Sequence, residues 1–490
     1  MKRLFYRPPD AWVGDLIPYW ENDVYYGFYL HDPRKRDKEY AEMTTWHLIK
    51  TRNFVDVEYS GVAIPRGSDD QPNKNAYTGS VIKDNEGVYH AFYTAYNEAI
   101  KIDGKSIQTV MQAVGTDLEH LETLEGFRFA SDGVMYEEFD WRDPFVFWNE
   151  EKGCYIMLVT TRLKGGGALR GGCIAMCRSD DLINWTYDSP FYSPGMYITM
   201  ECPELFKMGA HWYLVFSTFS DKFATHYRIA DSWNGPWKIP EHDTFDSRAD
   251  YAIKTASDGK RRYAFGWIAS KYGESDFGPW EWGGTMVFHE IVQNEKTGEL
   301  DVRMIPSVRE TFSEICEPQD LTAYNCQVSK KSGEVQIESE TLGCAMFPVE
   351  GDCFLLEMDV HVNEAAEFGI AMHTDPGMEK GYFLRMDIQK KQMAWDMWPR
   401  AEAGKYQWQI KGDVPYQIET ARPLPEGNDF HLQIIREDDI CVVYVNDKVV
   451  LSTRMYDHKG GYAGVYVLQG NVELKNYKER RRGKHEKESA

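Results

Sequence analysis

DWRDPFVFWNEEKGCYIMLVTTR, residues 140–162, holds two short apolar-aromatic runs, DPFVFW and CYIMLVTTR, separated by Asn149-Glu150-Glu151-Lys152-Gly153. Runs of this length, rich in β-branched and aromatic residues and bounded by turn formers, predict two strands, and the five-residue link predicts a hairpin. A polar triplet, Arg142-Asp143-Pro144, stands at its head.

The same grammar recurs outward from this hairpin in VYYGFYLHD (24–32), GVYHAFYTAY (87–96), HWYLVFSTF (211–219) and RRYAFGWIA (261–269). Asp84-Asn85-Glu86-Gly87 and Ser257-Asp258-Gly259-Lys260 supply further turns. Long helical periodicity is nearly absent, so the fold class is all-β. Polar clusters analogous to Arg142-Asp143-Pro144 occur at Gly14-Asp15, Thr78-Gly79-Ser80, Glu201-Cys202-Pro203 and Asp250-Tyr251, at successive spacings of 63, 65, 58 and 49 residues. Each interval accommodates about four strands with their turns, the content of one propeller blade. Five such units fill residues 1–310 and predict a five-bladed β-propeller whose clusters converge on a central channel. Spacing alone separates this only weakly from an irregular β protein.

From Thr311 the pattern becomes strictly alternating, as in EVQIESE (334–340), CFLLEMDVHV (353–362), FHLQIIRED (430–438) and GYAGVYVL (461–468). Half-buried strands of this kind predict a C-terminal β-sandwich over residues 311–477. Residues 478–490, KERRRGKHEKESA, read as a charged, frayed tail.

At 490 residues the chain exceeds one ordinary core, in keeping with two domains. The net charge of −22 argues against nucleic acid and anionic membranes as partners and favours a small neutral ligand. Fifteen Trp and 30 Tyr supply stacking surface for a sugar. The nine Cys form no CxxC pair, which signals neither a disulfide framework nor a zinc knuckle. With no apolar leader segment and no 18-residue apolar run, a cytoplasmic protein is expected, its cysteines reduced. Nothing in the sequence speaks to oligomeric state.

Three acidic residues stand in non-helical, strand-head contexts, as two-carboxylate glycoside hydrolysis requires. Asp15, in PPDAWVGDLIPYW, is costly to bury unless hydrogen-bonded or used; taken alone it reads more readily as a turn residue. Asp143 stands beside Arg142, expected to hold it ionised, and reads equally as half of a structural ion pair. Glu201, in TMECPELF between Met200 and Cys202, is expected to be desolvated into a general acid. Alternation turns Glu204 away from it.

Distributed over nearly the whole chain, these motifs resemble glycoside hydrolase family 32, the invertases, inulinases and levanases. FYRPPDAWVGDLIPYW is similar to the opening segment that carries the family's nucleophile, and TTWHLIKTRNF to its Trp-Gly-His-Ala stretch. AYTGSVIKD is similar to the Phe-Ser-Gly-Ser strand, DWRDPFVFW to the Arg-Asp-Pro motif, and MECPELF to the Glu-Cys motif.

The resemblance implies a five-bladed propeller with a sandwich, and no metal or organic cofactor. It assigns Asp15 as nucleophile, Glu201 as acid/base and Asp143 as transition-state stabiliser, in retaining hydrolysis of fructofuranosides. Trp46 and Thr78 by resemblance, Trp12 by its place near Asp15, and Arg142 as the partner of Asp143 are expected around the sugar. The chain departs from the pattern at Gly14, where the family has Asn, at Leu16-Ile17-Pro18 in place of Pro-Asn-Gly, and at Leu30 in place of Gln. Substrate recognition is therefore expected to differ while catalysis is kept. An arabinosidase or xylosidase of a related five-bladed family, a non-catalytic sugar-binding propeller, and glycosyl transfer to an acceptor stay open as alternatives.

Overall fold

In the computed structural model, residues 3–34, 44–316, 320–331, 334–399, 418–419 and 421–483 are described. Helix among them is confined to Pro306–Glu310 and a single turn at Tyr272–Glu274; the rest of the regular structure is strand. No helix of the described residues is long and apolar enough to cross a membrane.

The hairpin at 140–162 forms as its sequence dictates. Arg142–Asn149 pairs antiparallel with Cys154–Arg162, Phe145 opposite Leu158 and Trp148 opposite Tyr155. Asn149 Oδ1 accepts the Lys152 amide at 2.9 Å, and Gly153 closes the turn at φ +62°, a conformation that favours glycine. Every residue of Cys154–Arg162 is buried, which explains its unbroken apolar run.

Five such antiparallel runs follow one another. They open with the strands Trp12–Glu21, Asn75–Lys83, Arg142–Asn149, Glu201–Met208 and Asp250–Ser257. The fifth and first runs join into one eight-stranded sheet through Val13 opposite Gly284. Each opening strand lies against the next, and the fifth lies against the first. All five carry one extra residue relative to their hairpin partners, at Gly14-Asp15, Thr78, Asp143-Pro144, Cys202-Pro203 and Ala252-Ile253. Such bulges locally disrupt pairing and re-aim side chains. Asp143, Cys202 and Ala252 adopt φ of +54°, +52° and +52°, a strained conformation held in place by the packing around it.

The remaining strands form one twelve-stranded antiparallel sheet. Its 22-residue strand Cys353–Thr374 pairs along one edge with Tyr462–Arg481, and along the other with Asp429–Glu437 and then Gly381–Asp387. Leu355, Ile435, Val442 and Val450 of this sheet share one apolar core with Trp267, Phe265 and Phe288 of the fifth run.

The segment read as a charged tail begins inside the fold: Tyr462–Arg481 is one strand. Alternation along it buries Glu479, and Arg480 Nε donates to Glu357 at 2.6 Å. Period-two burial with charge pairing hid this strand end within a basic run. Residues 484–490 lie outside the described residues.

Candidate active site

The bulges of the opening strands face a cleft of about 1300 Å³ whose lining includes Asp15, Thr78, Arg142, Asp143, Glu201 and Tyr251. The three predicted carboxylates therefore meet, although the strands carrying them are far apart in sequence.

Asp15 is buried and held by neutral donors. Thr78 Oγ1 donates to its Oδ2 at 2.5 Å and Trp267 Nε1 to its Oδ1 at 3.0 Å, while Cys202 Sγ stands 3.6 Å from Oδ2. Burial raises its carboxyl above the usual range, the Thr78 and Trp267 bonds oppose this, and the Glu201 charge adds to it.

Asp143 Oδ2 accepts the Cys202 amide at 3.1 Å and Thr160 Oγ1 at 3.3 Å. Its own amide donates to Thr94 Oγ1 at 2.7 Å, which fixes the bulge. Burial pushes its carboxyl up to about 7, and Arg142 only partly offsets this. Arg142 pairs with Asp143 as expected but does not hold it fully ionised, because burial outweighs its pull and its hydrogen bonds go elsewhere. The guanidinium bonds Asp140 at 2.8 Å and Glu201 at 3.1 Å, and its Nε stands 3.7 Å from Asp143.

The expected apolar setting of Glu201 is likewise replaced. Met200 and Cys202 are buried in the cores, and the Glu201 side chain, 21% exposed, reaches the cleft. There Arg142 Nη2 holds Oε1 and the Tyr251 hydroxyl donates to Oε2 at 2.6 Å. Glu204 is turned away and buried, accepting the Thr255 amide at 2.7 Å beside Arg262 at 3.6 Å.

Of the expected sugar-lining residues, Thr78 and Arg142 line the cleft. Trp46 does not. It is fully buried in the core with Phe28 and Leu48, its Nε1 donating to the Tyr77 carbonyl at 2.9 Å. Trp12 is outside the lining too, its ring covered by the Arg34 guanidinium at 4.1 Å. Both sit on strands whose alternation turns them to the core or the rim.

The cleft instead contains Trp280, Trp282, Phe219 and Phe223, which local patterns did not single out. Trp267 was legible in principle, since it lies directly opposite Tyr251 in the fifth hairpin. Trp282 accounts for Gly14, because a Cβ there would come within 2.2 Å of its ring. Leu30 also lines the cleft.

Residues 6–301 match the description "Glycosyl hydrolases family 32 N-terminal domain". The chain is 23% identical to a sucrose-6-phosphate hydrolase of Escherichia coli, over 92% of this chain and 88% of that protein. It is 20% identical to a levanbiose-producing levanase of Bacillus subtilis (strain 168), over 96% and 89%. In fold it is similar to a sucrose-6-phosphate hydrolase from Lactobacillus gasseri, with a TM-score of 0.71 at 16% identity, covering 96% of this chain and 91% of that one. An exo-inulinase from Aspergillus awamori gives a TM-score of 0.71 at 15% identity, covering 98% and 97%. The family match spans more than half of the chain and contains every carboxylate of the cleft: the protein belongs to glycosyl hydrolase family 32.

Proposed function

We propose that this chain is a retaining glycoside hydrolase of short, neutral fructofuranosides, with Asp15 as nucleophile, Glu201 as acid/base and Asp143 as transition-state stabiliser. The observation that carries the reading is the linkage of the three carboxylates in one cleft. Cys202 touches Asp15 and Asp143, and Arg142 lies between Asp143 and Glu201.

Asp15 has neutral donors on both oxygens, a setting for an attacking carboxylate not neutralised by a direct ion pair. It attacks the anomeric carbon while Glu201 protonates the leaving oxygen, and water then opens the glycosyl-enzyme with Glu201 as base. As Glu201 gives up its proton, the charge it acquires is met by Arg142 and Tyr251, so these bonds strengthen where the barrier lies. Asp143 hydrogen-bonds ring hydroxyls beside the developing cation. Trp282 and Phe223 offer apolar faces to the sugar.

Residues 1–310 would form the five-bladed catalytic propeller, and the segment from 311 through the strand ending at Arg481 the β-sandwich. The ring of opening strands supports the first, the twelve-stranded sheet the second. Nine free thiols suit a cytoplasmic enzyme acting on imported saccharides.

The test is product release from sucrose and from short inulin-type and levan-type oligosaccharides by wild type, Asp15→Ala and Glu201→Ala. Free fructose from wild type alone supports the assignment, and a fructosylated acceptor would identify transfer. Cleavage persisting in both variants, or a fructoside-inert wild type, rejects it.

A further inference from the structure

Behind the cleft, at the seam between the fifth run and the twelve-stranded sheet, Asp246, Asp250 and His289 are each no more than 1% exposed. One ligand atom from each lies within 4.8 Å of the others. His289 Nε2 is 3.2 Å from Asp250 Oδ2, and its Nδ1 is bonded to the Tyr444 hydroxyl at 2.8 Å. Asp246 Oδ1 accepts the amides of Ser247 at 2.7 Å and Ser452 at 3.1 Å. Among the described residues, Asp246 Oδ2, Asp250 Oδ1 and Ser452 Oγ have no hydrogen-bond partner.

Two carboxylates buried this deeply side by side are costly to keep charged unless a cation stands between them. Among the described residues no Lys or Arg forms an ion pair with either. Arg422, whose charge is felt at Asp246, donates to the carbonyls of Thr244, Phe245 and Asp246 and to the Thr244 hydroxyl. Arg454 donates to the carbonyls of Ile268 and Ala269, to Thr285 and to Asp439.

We propose that Asp246, Asp250 and His289 form a structural site for one divalent transition-metal ion, zinc or manganese, that braces the fifth run where it meets the sheet behind it. An imidazole with two carboxylates is a donor set for these ions; calcium favours oxygen ligands alone. Bonds of about 2.0–2.2 Å are reached if each ligand moves by a few tenths of an ångström. Tyr444 Oη on Nδ1 orients the ring from behind, as outer partners of metal-bound histidines do. Tyr444 and Ser452 both belong to the rear sheet, so the sheet holds His289 and Asp246 from outside while the fifth run supplies all three ligands.

The full chain is stripped with EDTA, incubated with ZnCl2, MnCl2 or CoCl2, desalted, and assayed for metal per chain and for Tm. The proposal expects about one ion retained per chain, a higher Tm than the stripped protein, and visible cobalt bands. His289→Ala and the milder His289→Gln should lose the ion and the bands, while Asp15→Ala keeps both. If wild type retains none of the three metals and its Tm is the same with EDTA as with metal, the carboxylates hold protons instead and the site fails. Full retention by a folded His289 variant places the ion elsewhere and overturns the assignment equally.

Discussion

The indole Nε1 of Trp267 donates to Oδ1 of Asp15 at 3.0 Å across 252 residues of sequence. Thr78 serves the other carboxylate oxygen, so both lone-pair faces of the proposed nucleophile are oriented by side chains from different strands. The orientation, not the mere presence of Asp15, is what the fold contributes.

Trp267→Phe keeps most of the ring and removes this donor. A hydrogen bond to a charged group contributes about 1.5–3 kcal/mol, so kcat/KM should fall roughly 10–100-fold. The Tm should fall as well, because the indole is fully buried, so the kinetic loss is read at a temperature where both proteins are folded. An unchanged rate constant would detach Trp267 from catalysis.

Asp143 gives the protein a pH-dependent stability of definite sign. Its carboxyl titrates near 7 when folded and at about 3.9 when unfolded. Between about pH 4 and 7 the folded state therefore holds the extra proton, and stability falls as pH rises through that window. Asp143→Asn removes the effect, so wild type should lose stability relative to the variant by on the order of 2–4 kcal/mol between pH 4 and 8. Parallel curves of Tm against pH for the two proteins would contradict this.

Glu201 and Glu204, three residues apart, should fail in opposite ways. Glu201→Gln should lose roughly 10²–10⁴-fold in turnover with the fold intact, and less on substrates with activated leaving groups. Glu204→Gln breaks a buried network with Thr255 and Arg262 and should cost about 3–5 kcal/mol of stability. Calorimetry alongside kinetics separates the two.

Charge around the cleft should select against phosphorylated sugars. Its described lining holds Asp15, Asp32, Glu98, Asp140, Asp143, Glu201 and Glu281 against Arg34 and Arg142. Both arginines are engaged, Arg34 with Glu281 at 2.7 Å and Arg142 with Glu201 at 3.1 Å. Sucrose should be cleaved at least about 10-fold more efficiently than its 6-phosphate, with the gap narrowing as salt rises. A preference for the phosphate would invert the substrate assignment.

Gly14→Asn should inactivate, because its Cβ would occupy the space of the Trp282 ring. Adding Trp282→Ala to that variant should recover part of the lost activity. A fully active single variant would mean that Trp282 yields freely and does not shape the subsite.

Strand grammar made the β class and the order of hairpins legible, because each hairpin is specified by residues a few positions apart. Asp143 and Glu201 stood out because each stands at a strand head beside a distinctive neighbour, as Asp143 does beside Arg142 and Pro144, whereas Asp15 alone reads as a turn residue and was singled out by the resemblance to the family's opening segment. Their partners were not legible. Arg142 chooses Glu201 over the adjacent Asp143 only once two distant strands stand side by side. Trp46 and Trp12 show the converse: a tryptophan near a motif has no visible facing until its strand's register is known, and neither lines the cleft.

The bulge repeated in all five opening strands gives the molecule a radial gradient of tolerance to length change. One residue gained or lost between a bulge and the head of its strand would reverse the facing of a site residue and retire it into the wall. Insertions at the outer turns leave that phase untouched. Length changes at the outer turns should therefore be tolerated far better than any between a bulge and its strand head.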